Sequence, residues 1–159
     1  MSFLFWKLLH IASVVIFLGN ITTGLFWARH AHKSRDFSLV AATFEGIVRS
    51  DRLMTIPGVI GIVISGVATA IGQHVPILST GWVWWGIVLF SISGIVFGMR
   101  VAPLQRKIVD LARKADSNQQ DWDTYVQIFK KWELWGLVAL IMPVIAMVIM
   151  VLKPALPGL

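Results

Sequence analysis

Four apolar stretches, each close to the thickness of a bilayer, limit what this chain can fold into. They run from about Phe3 to Trp27, Leu53 to Gly72, Trp82 to Val101 and Leu134 to Leu152. A helix needs about 20 residues to cross roughly 30 Å of hydrocarbon. Lipid offers no partners to backbone N–H and C=O groups, so a spanning segment must satisfy them internally, as a helix does. The pattern predicts an all-α fold: a four-helix transmembrane bundle forming one domain over residues 1–159. Charge content agrees. Only 14% of the residues are charged, where a soluble domain carries about a quarter. The first apolar run has no basic start and no small-x-small cleavage site, so it reads as a span and not as a leader.

Basic residues set the orientation. Five Lys and Arg lie between Ala28 and Arg52, seven between Arg100 and Lys131, and none between Gln73 and Gly81. Only Lys7 and Lys153 remain, one near each terminus. The positive-inside bias therefore predicts cytoplasmic loops 1 and 3, with both termini outside (N-out/C-out). The expected setting is a bacterial inner membrane, crossed several times. The net charge of +6 is spread through short loops, which suits anionic headgroups and not nucleic acid. With no Cys, thiol chemistry and thiolate metal sites are excluded.

The basic loops carry helical patterning. Phe37, Val40, Phe44, Ile47 and Val48 follow Asp36 at rough helical spacing, so a helical lead-in to the second span is expected. Leu104, Ile108 and Leu111 extend the third helix past the bilayer. Ala115 to Gln120 reads as a turn, with Asp121 or Asp123 as the cap of the fourth helix. Trp122, Tyr125, Phe129 and Trp132 then share one face.

Small residues mark where membrane helices approach. Gly58, Gly61, Ser65, Ala68 and Gly72 line one face of the second span; Gly94 and Gly98 form a pair in the third. These two faces are expected to meet each other or the first helix. Pro57 is expected in the first turn of the second span, where Pro is tolerated, and Pro143, mid-way in the fourth, is expected to kink it.

Polar groups inside a bilayer are costly, and each is a functional candidate. Trp6, His10, Ser13, Phe17, Asn20 and Gly24 fall on one sector of the first helix, which should face inward. An imidazole at His10 can ligate haem iron or copper, relay a proton, or hydrogen-bond a neighbouring helix. The residues alone favour the hydrogen bond. Met142 and Met147 in the fourth span and His74 in the outer link are candidate second ligands, although Met is also ordinary apolar filling. His30 and His32 are expected on a solvated face. Glu133 is expected in an interfacial ion pair with Arg49, Arg52 or Arg100, and Asp51 in one with Arg49 or Arg52, with proton handling the lesser alternative for both. No phosphate loop, HExxH or buried acidic pair is present, which argues against a hydrolase or ATPase.

Lys7-Leu8-Leu9-His10, Gly24-Leu25-Phe26-Trp27, Arg49-Ser50-Asp51-Arg52 with Pro57, Ser65-Gly66 and Gly81-Trp82 together resemble domain-of-unknown-function family 2269, predicted bacterial integral membrane proteins. That resemblance covers nearly the whole chain and implies topology more than activity. The Lys7-x-x-His10 opening is also similar, more distantly, to the small membrane protoporphyrinogen oxidases and, in outline, to copper-resistance membrane proteins. The likeness implies b-type haem at His10; on that reading Trp6 and Phe17, from the same sector of the first helix, would flank the macrocycle. The oxidases' Pro-Arg pair near the end of helix one is replaced by Thr22-Thr23-Gly24, so the likeness extends to haem binding and not to the oxidase reaction. Three readings stand at this point: a haem-binding or redox-linked protein using His10, a non-catalytic subunit or partner of a membrane complex or a homo-oligomer, and a small copper-handling or transport protein.

Overall fold

The computed structural model describes residues 2–115 and 119–159. Four long helices carry the chain: α1 (Phe3–Ser34), α2 (Phe37–Gly72), α3 (Gly81–Lys114) and α4 (Gln119–Leu152). All four are long and apolar enough to cross a membrane. No strand occurs among the described residues. At about 1.5 Å per residue, helices of 32 to 36 residues span roughly 50 Å. That exceeds the hydrocarbon layer by about 20 Å, so the helices project beyond it. The link between α1 and α2 is a tight turn. Arg35 takes a left-handed conformation (φ 56°) and Asp36 caps α2 by accepting the Ser38 N–H at 2.8 Å. The expected lead-in from Phe37 is therefore the first part of α2 itself.

The projecting end holds the tightly packed core. Leu25, Ala28, Phe37, Val40, Phe44, Val101, Ile108, Tyr125, Phe129 and Trp132 are all buried there, while spanning segments nearer the other end are mostly exposed. The reason is the change of solvent. Water outside the bilayer drives apolar side chains together; lipid tails do not, and helices inside it associate through close packing and hydrogen bonds. The shared face of Trp122, Tyr125, Phe129 and Trp132 is as the periodicity predicted. The turn expected at Ala115 to Gln120 falls partly outside the described residues. From Gln119 the chain is already helical, so Asp121 and Asp123 lie inside α4 and neither is its cap; Asp123 instead accepts from Gln119 Nε2 at 2.9 Å.

Within the bilayer α1 runs along the Ile56–Gly72 half of α2, and α3 runs along α4. The small-residue face of α2 meets α1: a Cβ on Gly58 would lie 3.3 Å from the Phe17 Cβ, and one on Gly72 would lie 3.1 Å from that of Phe3. The pair in α3 behaves differently from expectation. A Cβ on Gly94 or Gly98 would meet nothing within 4 Å, so this face lies on the outside of the bundle. It is Gly86, against Met150, and Ser93 that pack on α4.

Prolines shape three of the helices. Pro57 stands in the first turn of the regular α-helical stretch Ile56–Gly72, as expected, although α2 runs into it without a break from Phe37. Just before it the helix widens into a π turn, Asp51–Thr55, in which Ile56 N–H reaches back to the Asp51 carbonyl. A second π turn, Phe97–Val101, stands at the same spacing before Pro103 in α3, with Ala102 N–H bonded to the Phe97 carbonyl. Proline cannot donate to the carbonyl four residues back and its ring crowds that group, so a wider turn relieves the clash. α2 and α3 pack together through Phe37–Ser50 and Ala102–Lys114, and Gln105 reaches Asp51 at the turn; their other halves are apart. In α4, Pro143 leaves the Ala139 carbonyl without its helical donor. Ser93 supplies one: its hydroxyl donates to Ala139 O at 2.6 Å, and α4 continues to Leu152.

At the opposite end the tail is irregular but docked. Leu159 N–H donates to Leu78 O at 2.9 Å, Trp85 Nε1 donates to Pro157 O at 3.1 Å, and the Lys153 ammonium lies 5.0 Å from the centre of the Trp82 ring.

Candidate functional site

The polar sector of α1 faces inward as its spacing predicts, and it delivers two separate sites. Nearer the N-terminus is His10. Its Nδ1–H donates to the Ile62 carbonyl at 2.9 Å, and Ser65 Oγ lies 3.4 Å from the same nitrogen. Ser65 itself donates to Gly61 O. Gly66 lets the ring approach: a Cβ there would lie 3.1 Å from His10 Cε1. The imidazole is therefore a clasp between α1 and α2, with Nε2 left as its free donor atom.

The other residues named with His10 are dispersed. Phe17 is buried between helices, its Cβ close to Gly58 and its ring 5.5 Å from that of Phe90. Trp6 is half-buried and packs edge-on against Phe5. His74 is exposed, in a left-handed conformation (φ 53°) just past α2. It is eight residues beyond Gly66, so roughly 12 Å further along the helix direction. Met142 is half-buried in α4 and Met147 is 40% exposed. Among the described residues no three His, Asp or Glu side chains gather as a metal site.

The second site is centred on Asp51, and here the structure departs from the expected interfacial ion pair. Asp51 is only 7% exposed. Its Oδ1 accepts from Asn20 Nδ2 at 3.1 Å and from the Thr55 hydroxyl at 2.8 Å; its Oδ2 accepts from Gln105 Nε2 at 3.0 Å. Asn20 Nδ2 also bonds Thr55 Oγ1 at 2.8 Å. Three helices thus converge on one carboxyl, and every partner is neutral. The ion pairs among the described residues lie elsewhere, Arg29 with Glu133 and Arg113 with Glu45. Glu133 is paired as expected of an interfacial acid, but with Arg29. Asp51 lies four residues after Ile47, its N–H bonded to the Ile47 carbonyl, so it continues the buried face of Phe44 and Ile47 into the bundle, away from the exposed Arg49 and Arg52.

A cavity of about 20 Å³ adjoins this carboxyl, lined by Asn20, Asp51, Gln105, Gly136 and Trp132 among others. It has the room of a single water. Trp132, whose indole N–H is buried without a partner among the described residues, belongs to the same wall. Further toward the projecting end, His32 is not on a solvated face. Its ring stacks parallel on Phe129, centroids 4.2 Å apart, between Trp122 and Tyr125. His30 is exposed, as expected.

The Asp51 centre was missed because its neighbours in sequence are charged. One signal was available: Asp51 continues the stripe of Phe44 and Ile47, both buried, and a carboxylate on a buried stripe needs partners. Asn20 was visible on the inward sector of the first helix, but its partner was not.

No curated protein and no solved structure matches the chain significantly. A family model does, over residues 4–154, and with that coverage the chain belongs to the DUF2269 family of predicted integral membrane proteins.

Proposed function

We propose that this is a proton-handling protein of a bacterial cytoplasmic membrane, with its projecting, basic end in the cytoplasm and Asp51 as the proton-exchanging group. The observation that carries this reading is a buried carboxyl held by three neutral donors with no cation paired to it. Charge buried without a counter-charge is costly, and a group so placed tends to take up a proton instead. Ionisable groups kept within membrane helices mark relays and pathways, and π turns recur at functional sites.

The surroundings supply the chemistry of exchange. With Asp51 ionised, Gln105 donates its amide N–H to Oδ2. With Oδ2 protonated, rotating the Gln105 amide presents Oε1 to accept the new O–H. Asn20 and Thr55 hold Oδ1 in both states. The adjoining cavity gives one water a place to carry the proton to or from the carboxyl. The test is whether Asp51 exchanges its proton within the folded protein, read by infrared pH titration beside Asp51→Asn.

A second reading keeps a metal at His10, and one observation favours it. A metal-bound histidine characteristically donates its other ring N–H to a carbonyl or carboxylate, and His10 Nδ1–H donates to Ile62 O. His10 therefore fits as a single axial ligand through Nε2. Haem b bound there would supply one-electron transfer, and copper likewise. On this reading, protein purified from a haem-replete host shows a Soret band that His10→Ala abolishes, and metal analysis finds copper if copper is the ligand. A flat spectrum with no bound metal removes it.

A further inference from the structure

We infer that a groove on the projecting side of the membrane surface binds an anionic diacyl phospholipid, with Arg49 and Arg52 on its phosphate. Glu45, Val48, Arg49, Arg52 and Leu53 form one stripe of α2, and with Val109 of α3 they line a hollow of about 490 Å³. Steps of three and four residues place them on a single helical face.

Charge is left over in this groove. The burial of Asp51 removes the acid that lies between the two arginines in sequence. The remaining acid, Glu45, is held by Arg113 at 2.6 Å. Neither Arg49 nor Arg52 has an ion pair among the described residues, and both are exposed. Two guanidinium groups one helical turn apart suit the tetrahedral oxygens of a phosphate, to which Arg donates in pairs.

The walls point to a lipid as the source of that phosphate. Val48, Leu53 and Val109 are apolar. Leu53 is 65% exposed, and Met54 and Ile56 beyond it are about half exposed, so the groove opens onto the lipid-facing surface of α2. A free anion gains nothing from such walls; an acyl chain below a headgroup does. Basic pockets between membrane helices on the cytoplasmic side recognise anionic headgroups in this way. The inference stands apart from proton exchange at Asp51, since it uses the outward face of α2 with Val109 of α3 and needs Asp51 only to be buried.

The experiment titrates phosphatidylglycerol, and separately phosphatidylcholine, onto the full chain in a neutral detergent, with bound lipid counted by native mass spectrometry. Wild-type protein is expected to retain phosphatidylglycerol over phosphatidylcholine. The Arg49→Gln/Arg52→Gln pair should lose roughly ten-fold or more in affinity, from two headgroup contacts. Lys130→Gln/Lys131→Gln, exposed residues of α4 outside the groove, should leave it unchanged. Equal loss in both double variants would overturn the inference, since charge alone would then explain retention. So would full displacement of the lipid by millimolar inorganic phosphate, which would make this a small-anion site. Circular dichroism and monodispersity of each variant separate lost binding from lost folding.

Discussion

Asp51→Ala should destabilise the folded protein by about 3 kcal/mol or more, while Asp51→Asn should cost much less. Truncation leaves the Gln105 amide, the Thr55 hydroxyl and one Asn20 contact without their shared acceptor inside the bundle. A buried donor stripped of its partner costs roughly 1–3 kcal/mol. The sum is not simply additive, because Asn20 keeps its bond to Thr55. Asn at position 51 preserves the volume and one acceptor oxygen, so most of the network survives. Removing a donor together with the acceptor, as in Asp51→Ala/Gln105→Leu, should recover part of the loss, because paired removal of polar partners is far milder than orphaning one. Denaturant titration of the three variants in detergent measures this order. An Asp51→Ala protein as stable as wild type would mean the carboxyl is not the hub of three helices.

The second large effect is expected at Phe44. Its side chain is fully buried and meets Trp132 edge-to-face, ring centres 4.8 Å apart and planes at 72°. Phe44→Ala should cost about 3–5 kcal/mol, the usual range for emptying an aromatic site in a core. Phe26→Ala is the matched control. Phe26 is 63% exposed, so its loss should stay within about 0.5 kcal/mol. The contrast tests where stability resides. If the projecting end is the true core, the two variants separate widely in the same denaturant titration. Equal losses would place as much stability in the lipid-facing surface as in the aromatic cluster.

Much of the fold was legible in the sequence because lipid imposes simple rules. Span length, the absence of basic residues from the Gln73–Gly81 link and the inward sector of α1 each follow from one physical constraint. The glycines of α2 also read correctly, since small residues and close helix approach go together. Gly94 and Gly98 show the limit of that rule: the same pattern lies on the outside of α3, and nothing local distinguishes a packed face from an open one. His32 was misread for a related reason. Its basic neighbours suggested water, whereas the aromatic residues that enclose it come from α4, about ninety positions away in sequence.

The Asp51 centre was the hardest part to read. Its partners lie 31 and 54 residues away on α1 and α3, and only the assembled bundle brings them together. The π turns were hidden too, although the cause is printed in the sequence: Pro57 and Pro103 each stand six residues after the start of a widened turn. The inward turn of His10 toward Ile62 was legible from its sector of α1.

The most direct test of a proton-exchanging Asp51 is an infrared difference titration of the lipid-reconstituted protein, repeated after hydrogen–deuterium exchange and with Asp51→Asn. A protonated carboxyl gives a C=O band well separated from the amide bands. The account predicts such a band that grows reversibly as pH falls, shifts on deuteration and is missing from Asp51→Asn. A wild-type spectrum indistinguishable from that of Asp51→Asn, over the whole pH range in which the protein stays folded, would show that Asp51 exchanges no proton and is a structural hub alone.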